Sequence, residues 1–436
     1  MLAYRAGRPI YVREFLADVE RVGAVLGSGA HVLNVCADRY RFTVGFAAAL
    51  LARKMTLLPP TPTPQVIAHL QRLAPDACCL TDEDECDIEL PRVRFPEGGA
   101  DTGGAGSTAV PGVEAGQPAA WVFTSGSTGT PVPHPKSFGR ILECMRVAAL
   151  RLSLRAGVSY AIVATVPPQH MYGFETSVLL PLANGAALTA ERPFYPADIC
   201  AALAAVPRPR ILVSTPLHLR ALLAADVRVP EVELLVSATA PLSPELAREA
   251  EQRLATRLLE IYGSTETGSI AVRHTTESPE WHLWPAVTLE QRSGGTWAKG
   301  GHIEQPTRLC DVIEITGGDR FLLHGREADL VNIAGKRSSL AYLNHQLNSI
   351  PGVLDGAFFH GDSRAGEAAV SRVGACVVAP GLDAAAIAAD LRRRIDPVFL
   401  PRPLLLVASL PRTPTGKLPE EALRALAASQ HKPAPG

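Results

Sequence analysis

Thr124-Ser125-Gly126-Ser127-Thr128-Gly129-Thr130-Pro131-Val132-Pro133-His134-Pro135-Lys136 follows the short apolar run Ala120, Trp121, Val122, Phe123, which reads as a strand. Gly126 and Gly129 permit positive φ and let backbone N–H groups converge. Ser125, Ser127 and Thr128 add small hydroxyl donors that leave room for an anion. Such a loop suits a polyphosphate, and a plain Ser/Gly surface turn is the other reading of the same residues. A Walker A loop is excluded, because its G-x-x-x-x-G-K-[ST] pattern needs a glycine where Pro135 precedes Lys136.

On both sides of the loop, apolar strand-like runs alternate with helical patterns. Strands are expected at His31 to Ala37, Ile162 to Val166, Ile211 to Ser214 and Leu234 to Ser237, and helices at Phe42 to Leu51 and Leu217 to Ala224. This alternation predicts an α/β fold with a large, multi-layer N-terminal domain and mainly parallel sheets. Between Gly98 and Ala119 the composition turns to Gly, Ala, Thr and Ser, which reads as a mobile loop leading into the phosphate loop. After about Arg326 a smaller α+β pattern begins. It has helices near Leu340 to Leu347 and Ala384 to Ile395, and strands near Gly356 to Phe359, Gly374 to Val378 and Leu404 to Val407. Two domains, 1–325 and 326–436, are the expectation.

The chain has 436 residues, 47% of them hydrophobic, and a formal net charge of -1, so it holds more than one ordinary domain and carries no electrostatic footprint for nucleic acid. Charged residues from Arg5 to Asp18 interrupt any signal-peptide core, and no apolar span reaches membrane length. A cytoplasmic location is expected. The 8 cysteines form no C-x-x-C pair and the 12 histidines no H-E-x-x-H cluster, so they read as reduced, non-ligating residues.

Tyr262-Gly263-Ser264-Thr265-Glu266-Thr267-Gly268 follows the apolar segment Leu258 to Ile261. Small hydroxyls beside one carboxylate suit a site where Thr265 bonds a phosphate and Glu266 holds Mg²⁺; a Ser/Thr cap with a helix-start Glu is the alternative. Together with Thr124 to Lys136, this segment resembles the two signature loops of the adenylate-forming superfamily. Those enzymes include acyl-CoA synthetases, aryl-CoA ligases, peptide-synthetase adenylation domains and luciferases. Further matches fall in the family's order: Pro168-Gln169-His170-Met171-Tyr172-Gly173, Gly325-Arg326, Gly335-Lys336-Arg337 and Pro414-Thr415-Gly416-Lys417.

The resemblance implies an enzyme that activates a carboxylic acid with ATP, releases pyrophosphate, and passes the acyl group from acyl-AMP to a thiol. That thiol belongs to coenzyme A or to the phosphopantetheine of an acyl carrier protein. By residue matching, Thr124, Ser125, Gly126, Ser127, Thr128, Gly129 and Lys136 cradle the β- and γ-phosphates. Thr265 takes the α-phosphate, Glu266 the Mg²⁺, and Lys417 is the catalytic lysine at the carboxylate and α-phosphate oxygens. Asp311 and Arg326 bind the ribose, although Leu309 and Cys310 replace the usual Thr-Gly before Asp311. Thr239, Ala240 and Pro241 lie against adenine with Tyr262 on its other face. His170 gates the acyl pocket, which Tyr172, Gly173, Gly263 and Ile270 line; an aromatic acid is the favoured substrate.

Some positions depart from the pattern. The lysine arrives at Lys136 and not directly after Pro131, a spacing that resembles the compact ligases of bacterial aryl-polyene pigment clusters. Ala328 stands at the usual hinge, and Tyr342 and Asn344 replace a pair of glutamates. These departures keep two alternatives open: adenylation with another acceptor, and a catalytically silent acyl-binding protein.

Overall fold

Leu234–Ser237 is buried at every position, as a strand must be when helices cover both faces of a parallel sheet. The computed structural model places it at the centre of the first of two units. Residues 1–59, 61–97, 109–125, 131–326, 330–333, 336–361, 372–413 and 418–430 are described. The first unit comprises Met1–Leu289 with Ala298–Thr307, and the second Glu290–Trp297 with Arg308–Gly436. The boundary expected at Arg326 falls inside the second unit.

In the first unit, one sheet runs in the order Trp281–Leu283, Gly268–Arg273, Arg257–Ser264, Leu234–Ser237, Arg210–Ser214, Ala161–Ala164, Ala187–Thr189, Ala3–Arg5, Arg8–Ile10. Its middle pairs are parallel and its outer ones antiparallel. The helices Pro216–Ala224 and Pro244–Leu254 each begin with a proline just after a capping Thr215 or Ser243, whose hydroxyl accepts a first-turn N–H. Leu219, Leu222, Leu246 and Ala250 from these helices pack on Val163, Leu212, Leu235 and Leu258 of the sheet.

A second sheet runs Arg92–Arg94, Cys78–Thr81, His31–Asn34, Met55–Leu58, Pro118–Ser125, Pro131–Ser137. It is parallel except for the last pair. Of the loop expected from Gly98 to Ala119, residues 98–108 lie outside the described residues, and the strand Pro118–Ser125 begins within its last part.

The helix Arg39–Leu51 ties the two sheets together. It is apolar nearly all round, with Phe42 and Phe46 edge-on to Phe174 at 6.2 and 5.0 Å between centroids. At its start the fully buried Arg39 donates to the carbonyls of Ala164, Val166, Thr189 and Glu191. Four carbonyls at the ends of two strands thereby gain donors that the sheet does not supply.

The second unit has the hairpin Asp311–Gly317 with Arg320–Arg326, a short ladder of Leu330–Ile333 with Lys336–Ser339, and the sheet Asp355–His360, Val373–Val378, Leu404–Leu406. The helices Leu340–Asn348 and Ala384–Arg392 close a separate core through Leu343, Leu347, Phe358, Val377, Ile387 and Leu391. Among the described residues, no helix is long and apolar enough to cross a membrane.

Candidate active site

Four neighbouring parallel strands, Ala161–Ala164, Arg210–Ser214, Leu234–Ser237 and Arg257–Ser264, end at one edge of the sheet, and the segments beyond them hold the sequence motifs. From Ala161–Ala164 the chain passes to one side for Ala187–Thr189 and to the other for Arg210–Ser214. Such a topological switch point leaves a crevice outside the strand ends, where ligands of open α/β sheets bind. Thr165 and Ser214 meet there, their hydroxyls 3.1 Å apart.

The turn between Arg257–Ser264 and Gly268–Arg273 is closed by its own residues. The hydroxyls of Ser264 and Thr267 lie 3.1 Å apart, and each accepts the other residue's backbone N–H. Thr265 and Glu266 remain half-exposed, and neither side chain has a hydrogen-bond partner among the described residues. A carboxylate and hydroxyls are hard oxygen donors, so this residue set fits the Mg²⁺ that the resemblance implies. The turn also depends on close approach. A Cβ on Gly263 would lie 2.3 Å from the Gly268 carbonyl oxygen, and one on Gly268, at φ +75°, would lie 2.7 Å from a Glu175 carboxylate oxygen.

Three buried side chains from separate segments hold the turn from beneath. Lys136 Nζ donates to the Glu266 carbonyl at 2.6 Å. His302 Nε2 lies 3.1 Å from the Thr267 carbonyl oxygen, so that nitrogen carries the proton and donates. Glu175 accepts from the backbone N–H of Ser269 at 3.1 Å and from its hydroxyl at 2.5 Å. The Cys144 thiol reaches the Ser269 carbonyl at 3.4 Å. Burial pulls the Lys136 pKa below the ordinary lysine value, against the opposing charge of Glu175, and pushes the Glu175 carboxyl up. Burial, then the Lys136 charge, lowers His302 to about 4.

The structure corrects the expectation for Lys136. The hairpin pairs Ser125 with Pro131 and Ala120 with Lys136. At about 3.4 Å per residue, Lys136 therefore lies roughly 17 Å down the strand from the loop. Its ammonium is inside the protein and bonded to the Glu266 carbonyl, a place that the phosphate-cradle expectation did not give it.

Other expected residues take defined places. Thr124 shares its hydroxyl with His134 Nε2 at 2.9 Å, at the loop end of its strand, and Ser125 is the last residue of that strand. Tyr172 is buried and donates to the Val236 carbonyl at 3.0 Å. A Cβ on Gly173 would lie 2.0 Å from the Pro167 carbonyl oxygen. His170 is half-buried just before the helix Met171–Phe174, and Gln169 beside it donates to the Cys36 carbonyl at 2.7 Å.

Thr239 has φ +77° and, with Ala240 and Pro241, lies past the end of Leu234–Ser237. Tyr262 lies against Trp281 at 5.6 Å, and Ile270 is fully buried. In the second unit, Asp311 and Arg326 are direct cross-strand partners. Asn344 serves structure, accepting from the Phe358 N–H at 2.6 Å. Gly126, Ser127, Thr128, Gly129, Ala328, Gly335 and Pro414 to Lys417 lie outside the described residues.

Residues 10–293 match the family model described as AMP-binding enzyme. The chain belongs to the AMP-binding enzyme family. It is 30% identical over 308 residues to a 4-coumarate--CoA ligase of Cereibacter sphaeroides, covering 68% of this chain and 69% of that protein. A 4-coumarate--CoA ligase of Rhodobacter capsulatus is 30% identical over 230 residues, 53% of this chain. In that match the chain spans 57% of the relative's length. Its fold is that of ATP-bound MatB from Rhodopseudomonas palustris, with a TM-score of 0.83 and 20% identity over 99% of this chain and 96% of that one.

Within this AMP-binding enzyme, sequence reasoning missed Glu175, His302 and Glu260. Glu175 had a signal, as the one charged residue in Met171 to Pro181; in the structure it opens a π-helical turn, a feature frequent at functional sites. Glu260 accepts from Arg273, Thr275 and the Leu242 N–H, and so fastens the Ser237–Pro241 segment to the neighbouring strand. Glu260 had a signal of the same kind, as the one charged residue in the apolar run Leu258 to Ile261, whereas His302 sits in a polar, Gly-rich context that reads as surface.

Proposed function

We propose that the chain activates a carboxylic acid with ATP and transfers the acyl group to the thiol of coenzyme A, with an aromatic acid as the favoured substrate. The observation that carries this reading is the turn at the switch-point edge, where Thr265 and Glu266 stay open while Ser264 and Thr267 satisfy each other. The ligase relatives support the acid and thiol, and their names support an aromatic acid.

In the first step a carboxylate oxygen attacks the α-phosphorus, and the bond to the bridging oxygen of pyrophosphate breaks. Thr265 orients the α-phosphate, and the carboxylate of Glu266 holds the metal. Bound Mg²⁺ supplies charge neutralisation on the polyphosphate. Lys417 neutralises charge at the reacting oxygens, while Asp311 and Arg326 hold the ribose. In the second step the thiolate attacks the acyl carbonyl and AMP leaves. His170, Tyr172, Gly173, Gly263 and Ile270 shape the acyl pocket.

The test is acid-dependent exchange of labelled pyrophosphate into ATP across benzoates, cinnamates and fatty acids, followed by mass spectrometry with coenzyme A or a holo-carrier protein as acceptor. Exchange with an aromatic acid and formation of its acyl-CoA are expected. Exchange without transfer to either thiol favours another acceptor, and acylated carrier alone moves the thiol to a carrier protein. No exchange with any acid overturns the reading.

A further inference from the structure

Lys136, Glu175 and His302 come from a strand, a helical turn and a distant loop, yet they bond successive backbone groups of one turn: the Glu266 carbonyl, the Thr267 carbonyl and the Ser269 N–H. All three side chains are buried. With Cys144, Met171 and Gly268 they close on a gap of about 10 Å³. That is the room of about one water molecule, so the cluster serves the turn and not a ligand of its own.

Buried charges are costly, and a lysine paired to a main-chain carbonyl is a poor way to gain stability alone. What this arrangement does fix is the backbone from which the Glu266 carboxylate projects. A donor at residue 266, a donor at 267 and an acceptor at 269 leave the turn little freedom to rotate, while the Ser264–Thr267 bonds close its other side.

We propose that Lys136 is a positioning residue for the metal-holding Glu266, acting with Glu175 and His302 through the backbone of the turn. The proposal rests on the reading of Glu266 as the metal-binding carboxylate. Groups that orient a ligating carboxylate typically contribute about 10- to 100-fold to metal affinity or activity.

Calorimetric ATP binding to the full chain, with Mg²⁺ and with EDTA, tests it without using turnover. Lys136→Met should cut the Mg²⁺-dependent gain in ATP affinity about tenfold or more. Metal-free ATP affinity should stay within about twofold of the parent's, and Lys136→Arg should restore most of the gain by returning a charged donor. Ser269→Ala removes one bond to Glu175 without stranding a buried charge, and should give the same split at smaller size if Lys136→Met does not fold. An unchanged gain in these variants, or equal loss with and without metal, overturns the proposal. Glu266→Gln separates the two ideas. If it removes the gain while Lys136→Met does not, only the positioning role falls; if it keeps the full gain, the metal reading falls and takes the positioning role with it.

Discussion

His302 must be neutral and protonated on Nε2 to hold the Thr267 carbonyl. Its folded-state pKa is about 4 against an ordinary 6.5, chiefly because burial disfavours the charged ring. A depressed pKa means that the unfolded chain binds the proton first. The stability tied to neutral His302 is therefore present above about pH 6.5 and is lost as pH falls toward 4. The shift corresponds to about 3 kcal/mol. Urea unfolding between pH 7 and pH 4 should show a steeper loss in the parent than in His302→Gln, which keeps an N–H donor and does not titrate. Matching pH slopes would mean that His302 does not titrate differently in the two states. At this scale the sequence shows the residue types of the turn from Tyr262 to Gly268, and the structure adds which side chains bond each other, Ser264 and Thr267, and which stay half-exposed, Thr265 and Glu266. Arg39 was opaque, because Asp38-Arg39-Tyr40-Arg41 reads as an exposed helix start. Its burial depends on carbonyls more than a hundred residues away.

Among elements, a contiguous apolar run made strands such as Leu234–Ser237 readable, since Leu234, Leu235 and Val236 are bounded by the polar Glu233 and Ser237. Pro131–Ser137 was unreadable for the opposite reason. Three prolines argue against a strand, yet Pro131, Pro133 and Pro135 fall on alternate positions of an edge strand, where missing N–H groups cost no ladder bond. The segment from Pro167 to Phe174 shows a further constraint of this kind. A methyl at Gly173 would meet the Pro167 carbonyl, backbone against backbone, so the segment from Pro167 to Phe174 would have to shift. Gly173→Ala should cost about 1–3 kcal/mol, read as a lower urea midpoint at unchanged slope. Gly23→Ala is the control. Gly23 lies in the helix Val12–Val25 with open space around it, so alanine there should stabilise by roughly 0.5–1 kcal/mol. Equal effects at the two sites would remove the close-approach argument.

At the scale of the whole molecule, the two units bury separate sets of side chains, and the turn with all three of its buried supports lies in the first. The division of labour was only half legible from the sequence. The α/β alternation announced two kinds of unit, but the apolar pattern gives no sign that Asp311–Gly317 and Arg320–Arg326 pack with the second. This placement has a testable consequence. A chain ending at Thr307 keeps the core around Leu212, Leu235 and Leu258, as well as Lys136, Glu175 and His302. It lacks Asp311, Arg326 and Lys417. Such a chain should unfold cooperatively in urea, because the core of a compact unit closes without the remainder. It should support no acid-dependent pyrophosphate exchange, because the groups proposed for ribose and reacting oxygens are gone. A folded fragment that still exchanges pyrophosphate at the parent rate would show those three residues to be dispensable for adenylation. Their proposed roles would then fall, while the turn around Glu266 would stand as sufficient for the first step.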